Sequence, residues 1–178
     1  MNVNLAMKKI STGLLLLLYP LISFSQDLFP HSQQKWVDSV FNSLSVDEKI
    51  GQLLMPRGNV ADTYDTTRLY SIVKDYHVGG FVLFKGHPVK QAVLVNELQH
   101  RTKVPLFIGM DLEWGLAMRL DSTFRFPYQM TLGAMQGNTA LIEKMGLQIG
   151  EQCRRMGVHI NYAPVVDVNN NPLNPVIN

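Results

Sequence analysis

The chain has 178 residues, room for one domain or for part of a larger one. Hydrophobic residues make up 46% of it and charged residues 17%, a balance that excludes a disordered tail or a fibrous repeat. The net charge of +2 comes from Lys8 and Lys9; without them the remainder balances at 14 against 14, which argues against a nucleic-acid partner or an anionic lipid surface.

Lys8 and Lys9 precede an apolar stretch with a leucine run at 14–18, and Ser23-Phe24-Ser25 offers small residues at the −3 and −1 positions. This is the pattern of a secretory signal, cut near Ser25. A membrane helix needs about 20 apolar residues, and Ser11, Thr12, Gly13 and Pro20 interrupt this stretch. The expected product is exported to the periplasm or cell envelope, begins near Gln26, and keeps no stable membrane span.

A lead-in region, 26–44, carries Trp36, Val37, Val40, Phe41 and Leu44 at helical spacing. Ser45-Val46-Asp47-Glu48 is a capping box that opens the next helix. It leads to Leu53, Leu54 and Met55, where a first buried strand is expected. Asp65 or Thr66 starts a helix with Leu69, Ile72, Val73 and Tyr76 on one face, and Gly79-Gly80 is expected to break it. The run 81–84 reads as a second strand, ended by Lys85-Gly86. Pro88 suits the first turn of the following helix, and 106–110 is a third apolar run. Asn138 or Thr139 should cap a long helix with Leu141, Met145, Ile149, Cys153 and Met156 on its stripe. Gly157 is its expected left-handed stop, and 160–166 forms the last strand-like run.

Apolar strands separated by helices indicate a parallel sheet. A doubly wound sheet and a (β/α)8 barrel both fit. A complete barrel takes about 250 residues, so length alone favours the open sheet.

In either architecture function gathers at the carboxyl ends of the strands. The second strand ends in Lys85-Gly86-His87. The third ends in Asp111-Leu112-Glu113-Trp114-Gly115 and runs on to Arg119, and the fourth ends in Asp167-Val168-Asn169-Asn170-Asn171. Carboxylates accept hydrogen bonds from sugar hydroxyls and an indole face packs on a pyranose ring, so this set suits a polyhydroxylated substrate. The competing reading has each carboxylate capping a helix or bracing a loop.

Other chemistries have less support. No glycine-rich phosphate loop follows a strand. His31, His77, His87, His100 and His159 form no His-x-x-x-His pair for zinc. The single cysteine, Cys153, permits no intrachain disulfide or cysteine zinc cluster. It lies on an apolar stripe, as a small core residue would. The methionines read as gap-fillers in the core.

The blocks Ser45-Val46-Asp47-Glu48-Lys49-Ile50-Gly51-Gln52-Leu53, Val78-Gly79-Gly80-Phe81-Val82-Leu83-Phe84, 105–119 and Ala163-Pro164-Val165-Val166-Asp167-Val168 occur in that order. Together they resemble the start of the catalytic domain of glycoside hydrolase family 3, in the form typical of its bacterial β-N-acetylglucosaminidase branch. The resemblance covers 45–178. It implies the first half of a (β/α)8 barrel, about four parallel strands with intervening helices, and so reverses the length argument.

It also implies a retaining hydrolase acting on amino-sugar glycans without metal or organic cofactor. Asp111 and Arg119 fit the family's Asp and the Arg eight positions later, and are carried over as substrate-binding residues. Asp167 is the weaker candidate, placed to order its loop. The family's nucleophile, proton shuttle and Lys-His sugar grip match no position here and are expected after Asn178, so no catalytic residue is assigned within the chain. Trp114 stands where many relatives have glycine.

Overall fold

The computed structural model describes residues 31–61, 65–135 and 137–175. The expected signal segment and the start near Gln26 lie outside them. Contacts divide the chain into two units, Met1–Ser39 and Val40–Asn178.

Helix α1 spans His31–Ser43, where Gln34 donates to Asp38 within one turn. Helix α2, Val46–Gly51, opens on the expected capping box: the Ser45 hydroxyl accepts from the Glu48 amide, and the Glu48 carboxylate accepts from the Ser45 amide. The bond from the Ser45 amide holds the Glu48 carboxyl below its ordinary range, with smaller help from the Ser45 side chain and from Lys103.

The first strand differs from expectation. Leu53 and Leu54 sit in an exposed turn after α2, and β1 is Arg57–Val60. Gly58 and Asn59 have low strand propensity, so β1 exists through pairing with its neighbour rather than through its own sequence.

Helix α3, Thr67–Tyr76, begins where Asp65 accepts from the Thr67 amide and hydroxyl. It ends at His77 in the left-handed region, with φ of 50°, two residues before the glycines expected to break it. Strand β2 is Gly80–Gly86, and helix α4, Pro88–Gln99, starts with proline in its first turn, as expected. Strand β3 is Phe107–Met110.

A 3-10 turn at Leu116–Met118 and a short helix α5, Gln129–Ala134, interrupt the long connection to α6, Thr139–Arg155. Neither has the length or periodicity that reads out of a sequence. Asn138 precedes α6 without a side-chain bond to it, and Gly157 ends the turn after it at φ of 66°. Strand β4 is only Ile160–Asn161, because Pro164 brings no amide to a ladder and the chain leaves the sheet after Tyr162 donates to the Met110 carbonyl.

The four strands are all parallel, in the order β1-β2-β3-β4. A doubly wound sheet reverses direction at a switch point; this one never does. Sequential order with crossovers of one hand puts every helix on the same face. Burial agrees. Phe81, Leu83, Ile108 and Met110 point to one face and are fully buried with Leu69 and Val73 of α3 and Leu94, Val95 and Leu98 of α4.

Residues on the opposite face are Arg57, Val82, Phe84, Phe107 and Gly109, by register. That face is open: Phe107 is 56% exposed and Tyr162, which lies across Gly109, is 47% exposed. A Cβ on Gly109 would sit 2.7 Å from the Tyr162 ring, so glycine lets that ring lie on the sheet.

Candidate active site

Asp111 follows the last residue of β3, at the carboxyl end of the sheet. The chain then turns back over the end of β2. The Gly86 amide donates to the Arg119 carbonyl at 3.2 Å and the Asp121 amide to the Gly86 carbonyl at 2.9 Å, so Leu120 forms a parallel bridge with Gly86. Gly86 is required there, since a Cβ would lie 2.7 Å from that of Val60. The eight-residue separation of Asp111 and Arg119 is therefore the length of a loop that leaves one strand end and lands on the next.

This return brings Arg119 onto Asp111. Its Nη2 donates to Asp111 Oδ2 at 2.5 Å and its Nε to the Asp111 carbonyl at 3.2 Å. Both side chains are partly buried, at 19% exposure for Arg119 and 31% for Asp111. The Arg119 guanidinium also lies 4.9 Å from the Phe84 ring on the open face of β2, and Arg57 from β1 lies 4.6 Å from the same ring. One carboxylate oxygen of Asp111 takes no part in the ion pair and is available as an acceptor.

Glu113 lies beside the pair. Loss of water around it raises its pKa, the Asp111 carboxylate raises it further, and Arg119 opposes both. Its amide points to Met118 Sδ at 3.3 Å and its carbonyl accepts from Gln129. Asn161 of β4 accepts from the Leu112 amide at 3.0 Å, which ties the start of this loop to the fourth strand. Trp114 packs edge-to-face on Tyr128, 4.6 Å between centroids.

The other strand-end residues have different tasks. His87 accepts from the Val89 amide and caps α4. Asn59 accepts from the Lys85 amide. Asp167 lies in an exposed segment without regular structure, and its carboxylate has no hydrogen bond or ion pair among the described residues. Sequence reasoning singled out Asp111 and Arg119 as substrate-binding residues, and the structure brings the two side chains together as an ion pair. It missed Phe84 and Arg57, whose meeting with Arg119 depends on strand register, and it did not give Glu113 a separate part.

A groove of about 690 Å³ runs along α6 and the edge of β4, between Ile142, Met145, Ile149, Val158 and Ala163. It includes Glu113 but neither Asp111 nor Arg119, and its walls are mostly apolar, so it belongs to the sheet edge rather than to this polar pair. Cys153 faces it and burial raises its thiol pKa, as for an inert core cysteine. Among the described residues no three His, Cys, Asp or Glu side chains are placed to hold a metal ion. No helix among them is long and apolar enough to cross a membrane.

Comparison with known proteins agrees with this geometry. Residues 45–178 match the Glycosyl hydrolase family 3 N terminal domain. A β-N-acetylglucosaminidase/β-glucosidase of Cellulomonas fimi is 31% identical over 143 residues, covering 80% of this chain and 25% of that protein. β-Hexosaminidase A of Pseudoalteromonas piscicida is 30% identical over 161 residues, covering 76% of this chain and 27% of that protein. Among solved structures, the β-glucoside phosphorylase BglX bound to 2FGlc superposes with a TM-score of 0.74 at 25% identity, over 83% of this chain and 26% of that one. The chain thus spans about a quarter of the length of the relatives it matches. Its four parallel strands have the order and helical cover of the opening half of a (β/α)8 barrel. The chain belongs to glycosyl hydrolase family 3, within that family's N-terminal domain.

Proposed function

We propose that this chain is the N-terminal part of an exported hydrolase that removes terminal β-linked N-acetylglucosamine from glycans with retention of configuration. The observation that carries the reading is the Asp111–Arg119 ion pair at two neighbouring strand ends. Arg119 fixes the Asp111 carboxylate and leaves one of its oxygens to accept from a sugar hydroxyl, while unused guanidinium N–H groups donate to a second. A charged hydrogen bond of this kind contributes roughly 1.5–3 kcal/mol. Asp167, exposed and without a bond of its own among the described residues, is given no part in holding the sugar. Family resemblance supports the rest of the chemistry: a carboxylate beyond residue 178 attacks the anomeric carbon, and a second group shuttles the proton.

A β-glucosidase reading has a specific point in its favour, since the Cellulomonas fimi relative is named for both activities. The two are separated with the product of the complete reading frame, by comparing kcat/KM on the 4-nitrophenyl β-glycosides of N-acetylglucosamine and glucose. A preference for the amino sugar is expected; a preference for glucose selects the second reading, and turnover of neither rejects both.

A further inference from the structure

Strand β4 is fastened to β3 at its start by a side chain as well as by backbone. The His159 amide donates to the Ile108 carbonyl at 2.8 Å, and the Ile108 amide donates back to Nδ1 of the His159 ring at 3.1 Å. One residue thus satisfies both backbone groups of Ile108. An amide N–H can only donate, so the Nδ1 that faces it carries no proton and the ring hydrogen sits on Nε2. The clasp is made by a neutral imidazole.

Protonation removes this acceptor. An imidazolium has an N–H at both nitrogens and accepts at neither. The amide of Ile108, whose side chain has no exposed surface, would then face another donor. Leaving a buried donor without a partner costs more than the net worth of the bond it loses. No close carboxylate offsets the added charge. The Phe107 ring of β3 lies perpendicular to the imidazole, 5.8 Å between centroids, and Tyr162 lies across Gly109 on the open face. Glu113, Cys153 of α6 and Arg154 of α6 border the groove that His159 lines, and Arg154 reaches Glu151 on its own helix. Among the described residues no Asp or Glu oxygen lies within 4.0 Å of His159.

Little else holds this edge, since β4 is two residues long. One of the two is Asn161, whose side chain accepts from the Leu112 amide beside Asp111. Whatever loosens β4 therefore reaches the loop that carries the ion pair.

We infer that His159 is a pH-sensitive clasp, which fastens β4 to β3 while its ring is neutral and releases that edge, with the support Asn161 gives to Leu112, when the ring is protonated. The sign follows from proton binding: the clasped strand is the unprotonated one. Its hold is complete above the range where histidine ordinarily titrates, about pH 6.5, and is lost as pH falls through that range. The inference concerns strand pairing and stands whichever glycoside is cleaved.

The test is hydrogen–deuterium exchange of the product of the complete reading frame, read by mass spectrometry on peptides spanning 106–113, at about pH 7.5 and about pH 5.5. Two variants accompany the unaltered protein. His159→Asn sets an oxygen where Nδ1 stands and does not titrate, and His159→Leu offers no acceptor. The peptides have the same sequence in all three proteins, so at one pH their intrinsic exchange rates are equal. At the higher pH the leucine variant should exchange about tenfold faster than the unaltered protein, the scale of one buried amide left unpartnered. At the lower pH that ratio should shrink toward one, while His159→Asn keeps its protection. A ratio that is the same at both pH values would overturn the inference. So would an asparagine variant that loses protection in step with the unaltered protein, a comparison that holds even if the leucine variant fails to fold.

Discussion

The two faces of the four-stranded sheet are built from similar residues and have different fates. On the helix side Phe81, Leu83 and Ile108 have no exposed surface, each shut in by α3 and α4. On the other side Phe107 is more than half exposed, and Val82 and Phe84 are only partly covered. Burial of such side chains stabilises by about 1.5–3 kcal/mol each, so one face is finished and the other is not. The open face has phenylalanine, valine and tyrosine where a solvated face would have polar residues. It has the composition of an interior, in keeping with the inner wall of a barrel, and the Asp111–Arg119 pair stands at its rim.

The strongest challenge to this contrast is to isolate the segment. Residues 26–178 expressed alone are expected to aggregate, to pair through their strand edges or to melt without a sharp transition, and to turn over no glycoside. A domain's margin is only about 5–15 kcal/mol, and a few uncovered apolar side chains remove it. Size-exclusion chromatography and thermal melting decide the matter. A monodisperse monomer with a sharp melt would show that the open face needs no cover.

A finer test compares one residue from each face in the complete protein. Phe81→Ala should destabilise by roughly 3–5 kcal/mol, as for a buried aromatic. Phe107→Ala should approach the same value if its face becomes an interior, and denaturant unfolding measures both. A Phe107→Ala effect within about 0.5 kcal/mol, typical of a surface position, would mean that the two faces stay different.

The smallest expected effect lies at the rim. Because Glu113 has a raised pKa in the folded protein, its contribution to stability is full below the ordinary carboxylate range and is lost as pH rises through the raised value. Glu113→Gln should remove that downward step. Melting temperatures across this pH range would contradict the account if the variant and the unaltered protein fell in parallel.

How much of this was legible in the sequence depended on whether a signal was local. The capping box at Ser45–Glu48, the proline start of α4 and the stop at Gly157 are written in adjacent residues, and each appears in the fold. Strand β1 was misplaced because Leu53 and Leu54 look buried, whereas Gly58 and Asn59 gain their strand only from β2. Asp111 and Arg119 were found through a family spacing, and the structure supplies its physical reason, the loop that lands on Gly86. The contacts of Phe84 with Arg57 and Arg119, and of Arg125 with Tyr128, depend on register and on loop return, which no local pattern encodes.

The central claim is that the Asp111–Arg119 rim holds the sugar while the exposed Asp167 does not. Its most direct test is kcat/KM for Asp111→Ala and Asp167→Ala in the product of the complete reading frame, on 4-nitrophenyl β-N-acetylglucosaminide. Asp111→Ala should lower it by about ten- to a hundredfold or more, the loss of one charged hydrogen bond to substrate, and Asp167→Ala should leave it within about twofold of the original. Unchanged kinetics in a folded Asp111→Ala enzyme, or an equal loss in both variants, would contradict the account.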